Sequence, residues 1–263
     1  MKYLEYELLN ATQIKDCILK NKVMLLYFGS IEQHGPHLPV GTDYICIKER
    51  VKEIANRSNS IYFSPMKLGY SYNHSGMTGT INLDVDLFIA IIENVCLQLL
   101  GQGWNKIIIF SGHNGNWDAI KVATQKIREK FVDGKIVLAR GYPKMGDGHN
   151  KKRFFRNFDL HAGVVETALI NYYKPELLSS DLPDSNNKVP DEIKKIIDKD
   201  ELDEIDELLI SAITPQHTNK ISQNGIWGRN NLEDYKKIPV KEAMENYIKF
   251  YVDLIKRWEK FYG

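Results

Sequence analysis

The chain has 263 residues, of which 43% are apolar and 26% charged, and its formal net charge is +1. This length is enough for one large α/β domain with a full core. The balanced charge argues against a nucleic-acid or membrane-surface partner, no apolar run is long enough to span a membrane, and no signal peptide is visible at the N-terminus.

The three cysteines are odd in number, widely spaced and placed in apolar-periodic segments: Cys17, Cys46 and Cys96. This usage is typical of buried free thiols in a reducing compartment. The cytoplasm is therefore the expected location.

The first half of the chain alternates predicted strands with predicted helices. Lys22–Phe28 is almost purely apolar, which predicts a strand buried on both faces. We expect a helix to begin at about Thr42 and a second strand over Ile61–Met66. Asp84 is placed to cap the helix that follows.

The alternation continues beyond residue 100. Lys106–Phe110 predicts a strand, the next helix should bury Ile120 and Ile127, and Lys135–Ala139 predicts another strand. Strands and helices that alternate at these lengths imply βαβ crossovers. The fold class expected is therefore α/β, with a mostly parallel central sheet between two helix layers.

The last third is different in character. The segment 183–210 is rich in Asp, Glu and Lys and reads as one or two surface helices; a lid or a subunit contact is the alternative. Val240–Phe261 predicts a closing amphipathic helix. We expect residues 1–263 to form a single domain.

The first group of metal-ligand side chains follows the first strand. Glu32 and His34 are two residues apart, so in extended backbone both side chains point the same way. Asp43 falls in the first turn of the next helix, where it either caps the helix or folds back as a ligand shared by two metals. His37 is expected to be a packed, structural histidine.

The second group follows Lys106–Phe110. His113 lies in a glycine-rich turn directly after that strand, at the sheet edge where Glu32 is also expected. This placement favours a metal ligand. Asn114 and Asn116 are expected to be turn and helix-capping residues, with Asn114 a weaker candidate for substrate binding.

The third group contains His161 and Glu166. Five residues correspond to about 140° on a helix, so the two cannot share a helix face. We therefore place His161 just before a helix as a general acid or base, and Glu166 one turn later as a metal ligand. His74, in a polar aromatic loop, and Trp227, between glycines, are weaker candidates for lining a pocket.

Imidazole and carboxylate without thiolate suit Zn²⁺ or Mn²⁺, and also Co²⁺ or Fe²⁺, in hydrolytic chemistry. The prediction is two divalent ions per chain.

Three motifs together resemble the creatininase (creatinine amidohydrolase) family: E-Q-H-G-P-H-L-P-V-G-T-D at 32–43, S-G-H-N-G-N at 111–116 and H-A-G-V-V-E-T at 161–167. The resemblance covers 29–167 and is poor in the last third. It implies an α/β/α sandwich, a two-metal site, small-molecule substrates and homo-oligomers that are often hexameric.

Carried over by position, the resemblance implies that Glu32 and His113 hold one metal and His34 the other. Asp43 would bridge the two metals, and His161 would be the catalytic histidine.

The chain departs from the creatinine-hydrolysing members at two places. Those members carry a metal-binding glutamate where this chain has Gly115, so Glu166 is the substitute ligand. They also carry a Trp-Asp pair before the catalytic histidine, where this chain has Asn157–Asp159.

The sequence therefore favours a binuclear amidohydrolase that cleaves a C–N bond of a small, possibly cyclic, amide. A hydrolase of a cyclic keto-polyol and a metal-dependent peptidase remain alternatives within the family. A non-enzymatic binding protein is the least favoured, because every expected ligand position holds a competent side chain.

Overall fold

The structure is a computed structural model. It describes residues 4–139, 159–184, 195, 205, 208–209, 217–228 and 231–262. Most of the charged segment 183–210 therefore lies outside the described residues, as do Asn157 and Phe158. The expectation that 183–210 forms surface helices or a lid stays a prediction.

Four parallel strands form the central sheet in the order β2-β1-β3-β4. Their bounds are Met24–Phe28 (β1), Ile61–Phe63 (β2), Lys106–Ser111 (β3) and Lys135–Ala139 (β4). The strand predicted over Ile61–Met66 is shorter than expected. It ends before Pro65, which has no backbone N–H to donate and which also restricts the residue before it.

Six helices have bounds within the described residues: Ala11–Leu19 (α1), Thr42–Ser58 (α2), Val85–Gly101 (α3), Trp117–Lys130 (α4), Val164–Tyr173 (α5) and Val240–Tyr262 (α6). The second begins at Thr42, as predicted from the sequence. Asp84 caps α3, because its side chain accepts hydrogen bonds from the backbone N–H groups of Asp86 and Leu87.

The two faces of the sheet carry separate hydrophobic cores. In β1, Leu25 and Tyr27 pack toward α2, α5 and α6, whereas the alternate residues Leu26 and Phe28 pack toward α1, α3 and α4. This alternation follows from the two-residue period of a strand. The fold is the expected α/β/α sandwich with a parallel sheet.

A short antiparallel pair lies beside the main sheet. It joins β5 (Asp159–His161) to β6 (Trp227–Gly228). This pairing attaches 217–228, a segment from the last third of the chain, to the strand that carries His161.

The cysteines and the helices bear on two further expectations from the sequence. Cys17, Cys46 and Cys96 are buried, and none of the three forms a disulfide. Within the described ranges, no helix combines the length and the apolar character that crossing a membrane requires.

Candidate metal centre

Two neighbouring strands deliver Glu32 and His113 to one place. Strands β1 and β3 pair in parallel with Phe28 opposite Ser111, so they end at the same level. The loops that follow bring the Nδ1 atom of His113 to 3.2 Å from Oε1 of Glu32. Both side chains are buried. The sheet edge predicted to hold the site does hold these two residues.

Asp43 lies between two histidines in the first turn of α2. Its Oδ2 atom is 3.1 Å from Nδ1 of His113, and its Oδ1 atom is 3.6 Å from Nε2 of His34. The hydroxyl of Ser30 donates a hydrogen bond of 2.5 Å to Oδ2. The two oxygens thus face different ligand groups, as a bridging carboxylate requires.

The third motif adds His161 and Glu166. His161 ends β5, Ala162 turns the chain with a positive φ of 51°, and Glu166 falls in the first turn of α5. Oε2 of Glu166 lies 3.6 Å from Nε2 of His34. His161 precedes the helix, as predicted, yet its Nδ1 atom also lies 3.7 Å from Oε1 of Glu32. The turn therefore brings both residues to the ligand cluster.

Backbone carbonyl groups orient two of the histidines. Nδ1 of His34 lies 3.1 Å from the carbonyl oxygen of Glu32, and Nε2 of His113 lies 3.0 Å from that of Tyr70. A carbonyl oxygen only accepts, so these nitrogens carry the hydrogens. The opposite nitrogen of each ring faces the carboxylates, which is the arrangement found in metal-binding histidines.

The cluster offers three overlapping sets of ligand atoms, each within 4.8 Å of one another: Glu32, Asp43 and His113; His34, Asp43 and Glu166; and Glu32, His34 and His161. Among the described residues, both carboxylate oxygens of Glu32 and Nε2 of His34 are buried without a hydrogen-bond partner. Buried polar atoms are nearly always paired. The residues present therefore fit divalent cations.

The pKa shifts within the cluster also indicate that it can hold cations. Burial lowers the pKa of His34, but Glu166 and Asp43 outweigh it and raise the pKa to about 10. Burial raises the pKa of Asp43, but His34 and His113 hold it well below its usual range. Burial also raises the pKa of Glu166 to about 7. Protons on His34 and His113 thus balance the buried carboxylates, a balance that cations would take over.

A cavity of about 360 Å³ opens onto the cluster. His74, Asn114 and Trp227, the weaker candidates from the sequence, all line it. His74 and Trp227 are buried, whereas Asn114 is exposed. His37 does not line the cavity; it is buried, with Nε2 3.0 Å from the Thr167 hydroxyl, in keeping with a structural role.

Asn116 occupies the N-cap position of α4, as expected of a helix-capping residue. Its side chain makes no hydrogen bond to the start of α4. Instead it accepts from the backbone N–H of Tyr70 at 2.8 Å and donates to the carbonyl of Gly29 at 2.9 Å. The Asn116 side chain therefore links the loops that carry Tyr70 and Gly29, which lie around the site.

Three other residues at the site were not singled out from the sequence. Ser30 hydrogen-bonds Asp43, and Gln33 and Thr218 contact His74. Gln33 could have been noticed, because it lies between two predicted ligands. Thr218 carried no signal, since 144 residues separate it from its histidine.

Comparison with known proteins identifies the family. A family model described as creatininase, creatinine amidohydrolase, matches residues 7–249. Three curated relatives are each 26% identical: a 3-dehydro-scyllo-inosose hydrolase from Thermotoga maritima, a mycofactocin precursor peptide peptidase from Mycobacterium ulcerans and a creatinine amidohydrolase from Pseudomonas putida. The matches cover 66%, 64% and 63% of this chain, and 57%, 64% and 68% of the relatives. The chain thus spans less than two thirds of the first two.

Solved structures share the fold over the whole chain. A creatinine amidohydrolase superposes with a TM-score of 0.75 at 17% identity, with complete coverage of both chains. A creatininase mutant described as "Zn-Zn type" and a structure described as "Creatininase Mn" give TM-scores of 0.72 and 0.71 at 18% and 19% identity, also with complete coverage. Identities this low show likeness of fold alone.

Proposed function

The chain belongs to the creatininase family, and from that premise we propose that it is a hydrolase that uses two divalent ions, Zn²⁺ or Mn²⁺. The observation that carries the proposal is the position of Asp43. Its two oxygens face His34 and His113 separately, and unpaired buried atoms of Glu32 and His34 surround it.

The described side chains divide between two metal positions. Glu32, Asp43 and His113 would hold one ion, and His34, Asp43 and Glu166 the other. The bound ions would supply Lewis acidity that lowers the pKa of water toward neutrality. His161 would move a proton to the leaving group, because its Nδ1 atom faces both the cluster and the cavity.

The substrate class proposed is a small, possibly cyclic, amide cleaved at a C–N bond. The cavity supports a small substrate, because about 360 Å³ is near the lower end for ligand pockets. A peptidase would need an extended groove.

A second candidate is a hydrolase of a cyclic keto-polyol. The observation that favours it is Gly115, which leaves the turn without an acidic ligand and so departs from the creatinine-hydrolysing pattern. A relative described as an inosose hydrolase supports this alternative.

Metal analysis and a substrate screen test the proposal together. Purified protein should contain about two divalent ions per chain by mass spectrometry. With added Zn²⁺ or Mn²⁺ it should hydrolyse a compound from a panel of creatinine, hydantoins, formamides, short peptides and keto-inositols. Absence of metal after reconstitution, with no hydrolysis, would overturn it.

Assembly and location complete the proposal. We propose a homo-oligomer, since the family resemblance implies one, and light scattering on the purified protein would give its mass. The three buried cysteines, none of which forms a disulfide, support a reducing compartment such as the cytoplasm.

A further inference from the structure

The Gln33 side chain lies between two histidines that line the cavity. Its Nε2 atom is 2.9 Å from Nδ1 of His74 and 3.1 Å from Nε2 of His161. All three residues are buried. One amide therefore contacts both rings, and its orientation decides which nitrogen of His74 carries a hydrogen.

Two backbone contacts fix the orientation of this amide. Oε1 accepts a hydrogen bond of 3.1 Å from the backbone N–H of Gly35, so it must be the oxygen. Nε2 donates at 3.1 Å to the carbonyl of Gly225, so it must be the nitrogen. One of its two hydrogens is used by Gly225, which leaves one hydrogen for the histidines.

The remaining hydrogen goes to His74. Nε2 of His161 lies 2.7 Å from the backbone carbonyl of Gln33, so this nitrogen carries its own hydrogen and cannot accept another. The acceptor is then Nδ1 of His74, which the Thr218 hydroxyl also approaches to 2.9 Å. In neutral His74, the hydrogen is therefore on Nε2.

Both rings carry their hydrogen on Nε2, but they present different nitrogens to Glu32. His161 directs the lone pair of Nδ1 toward Oε1 of Glu32 at 3.7 Å, whereas His74 directs Nε2–H toward the same atom at 3.8 Å. Their ring centroids are only 4.1 Å apart. In a hydrolysis, the acceptor can take a proton while the donor stabilises a substrate atom that gains negative charge.

We propose that Gln33 is a positioning residue that holds His74 as a fixed hydrogen-bond donor beside His161, the fixed acceptor. This inference rests on the proposed function and deepens it. The His74 Nε2–H group would donate a hydrogen bond to the substrate atom that gains negative charge, while His161 would move the proton. Gln33 itself would not touch the substrate.

The hydrogen positions can be measured directly by ¹⁵N NMR of the histidine side chains in the zinc-loaded protein. H74N and H161N variants assign the two sets of signals. Both residues should show a hydrogen on Nε2 and a bare Nδ1. In Gln33→Glu the new carboxylate only accepts, so Nδ1 of His74 should become protonated, while His161 keeps its hydrogen because the backbone carbonyl is unchanged.

Gln98→Glu is the matched control, since Gln98 is exposed on α3 away from the site; it should change neither histidine. In Gln33→Glu, kcat on the substrate found in the screen should fall by roughly 10² with zinc content unchanged. A hydrogen on Nδ1 of His74 in the parent, or an unchanged His74 spectrum in Gln33→Glu, would overturn the proposal.

Thr218→Val covers the case in which Gln33→Glu does not fold. Gln33 remains the donor in that variant, so His74 should keep its hydrogen on Nε2; a shift to Nδ1 would assign the role to Thr218 instead. Failure of the proposed function would appear as missing zinc or missing hydrolysis. The NMR result does not depend on the substrate, so the two failures are distinguishable.

Discussion

At the scale of single residues, Asp43 directs its two carboxylate oxygens toward different histidines. A shared carboxylate offsets the repulsion between two dications, and neither metal position is complete without it. Glu32 and His34 each contribute to one proposed position only. The loss of metal should therefore depend on which of these side chains is removed.

We expect Asp43→Ala to lose both metals, whereas Glu32→Ala and His34→Ala should each lose mainly one. Metal content by mass spectrometry on the purified variants checks this. Asp86→Ala is the control, since Asp86 also lies in the first turn of a helix but outside the cavity. Equal stoichiometries in the three site variants would contradict the bridging assignment.

His161 should affect rate rather than metal content. We expect His161→Ala to keep both ions and its fold while kcat falls by roughly 10² to 10⁴, the usual worth of a positioned acid–base group. The measurement is metal stoichiometry beside steady-state kinetics. Because Nδ1 of His161 lies near Glu32, loss of one ion would instead make His161 a ligand and leave Glu166 a structural role.

The sequence predicted which side chains would meet, but not what holds them. Glu32 and His113 could be anticipated because parallel strands end at one sheet edge. The role of Gln33 could not, since it depends on Gly225, which is 192 residues away. The side-chain capping hydrogen bond expected of Asn116 is absent for the same reason: the amide instead bonds Tyr70 and Gly29, which are distant in sequence.

At the scale of elements, the segment 217–228 contributes contacts to the site. Strand β6 pairs with β5, Thr218 contacts His74, and the carbonyl of Gly225 accepts from Gln33. The strands and helices from β1 to β4 followed from apolar periodicity, whereas α1 was not predicted. The segment 217–228 did not follow from it, because its two-residue strand is too short to show any period.

Gly225 allows a direct test of this contact. Its φ is +83°, and a Cβ added there would lie 1.6 Å from Oε1 of Gln33. We expect Gly225→Ala to displace the Gln33 amide and reduce hydrolysis at least roughly tenfold, with metal content retained.

Gly76→Ala is the matched control, since Gly76 has a φ of +81° but open space around the added Cβ. Both variants carry the same backbone cost of about 1–2 kcal/mol, so any larger loss of stability in Gly225→Ala, measured by denaturant unfolding, reports the displaced Gln33 amide. Equal activities would show that the contact with Gln33 does not matter for the reaction.

At the scale of the whole molecule, the cluster of candidate metal ligands places several charged side chains in the interior. Glu32, Asp43 and Glu166 come from different loops and helices around the same sheet edge. Ions that bind only the folded chain would hold these elements in place, so metal binding should raise the free energy of unfolding.

We expect excess Zn²⁺ to raise the melting temperature of chelator-treated protein. At a free concentration of about 100 times Kd the stabilisation is about 2.7 kcal/mol, which corresponds to roughly 5 to 10 °C for a chain of this size. Differential scanning fluorimetry measures the shift. Asp43→Ala should show little of it; an equal rise in that variant would indicate binding elsewhere.

The turn after β3 also constrains how this site can change during evolution. A Cβ at Gly115 would lie 2.4 Å from Nε2 of His113 and 2.7 Å from the carbonyl oxygen of Tyr70. Those are the two atoms whose hydrogen bond orients His113. An acidic side chain at 115 therefore cannot be gained by one mutation while His113 stays in place. The loop that carries Tyr70 must move first. A change from a carboxylate on the helix, such as Glu166, to a carboxylate on this turn therefore requires more than one mutation, and the mutations depend on one another.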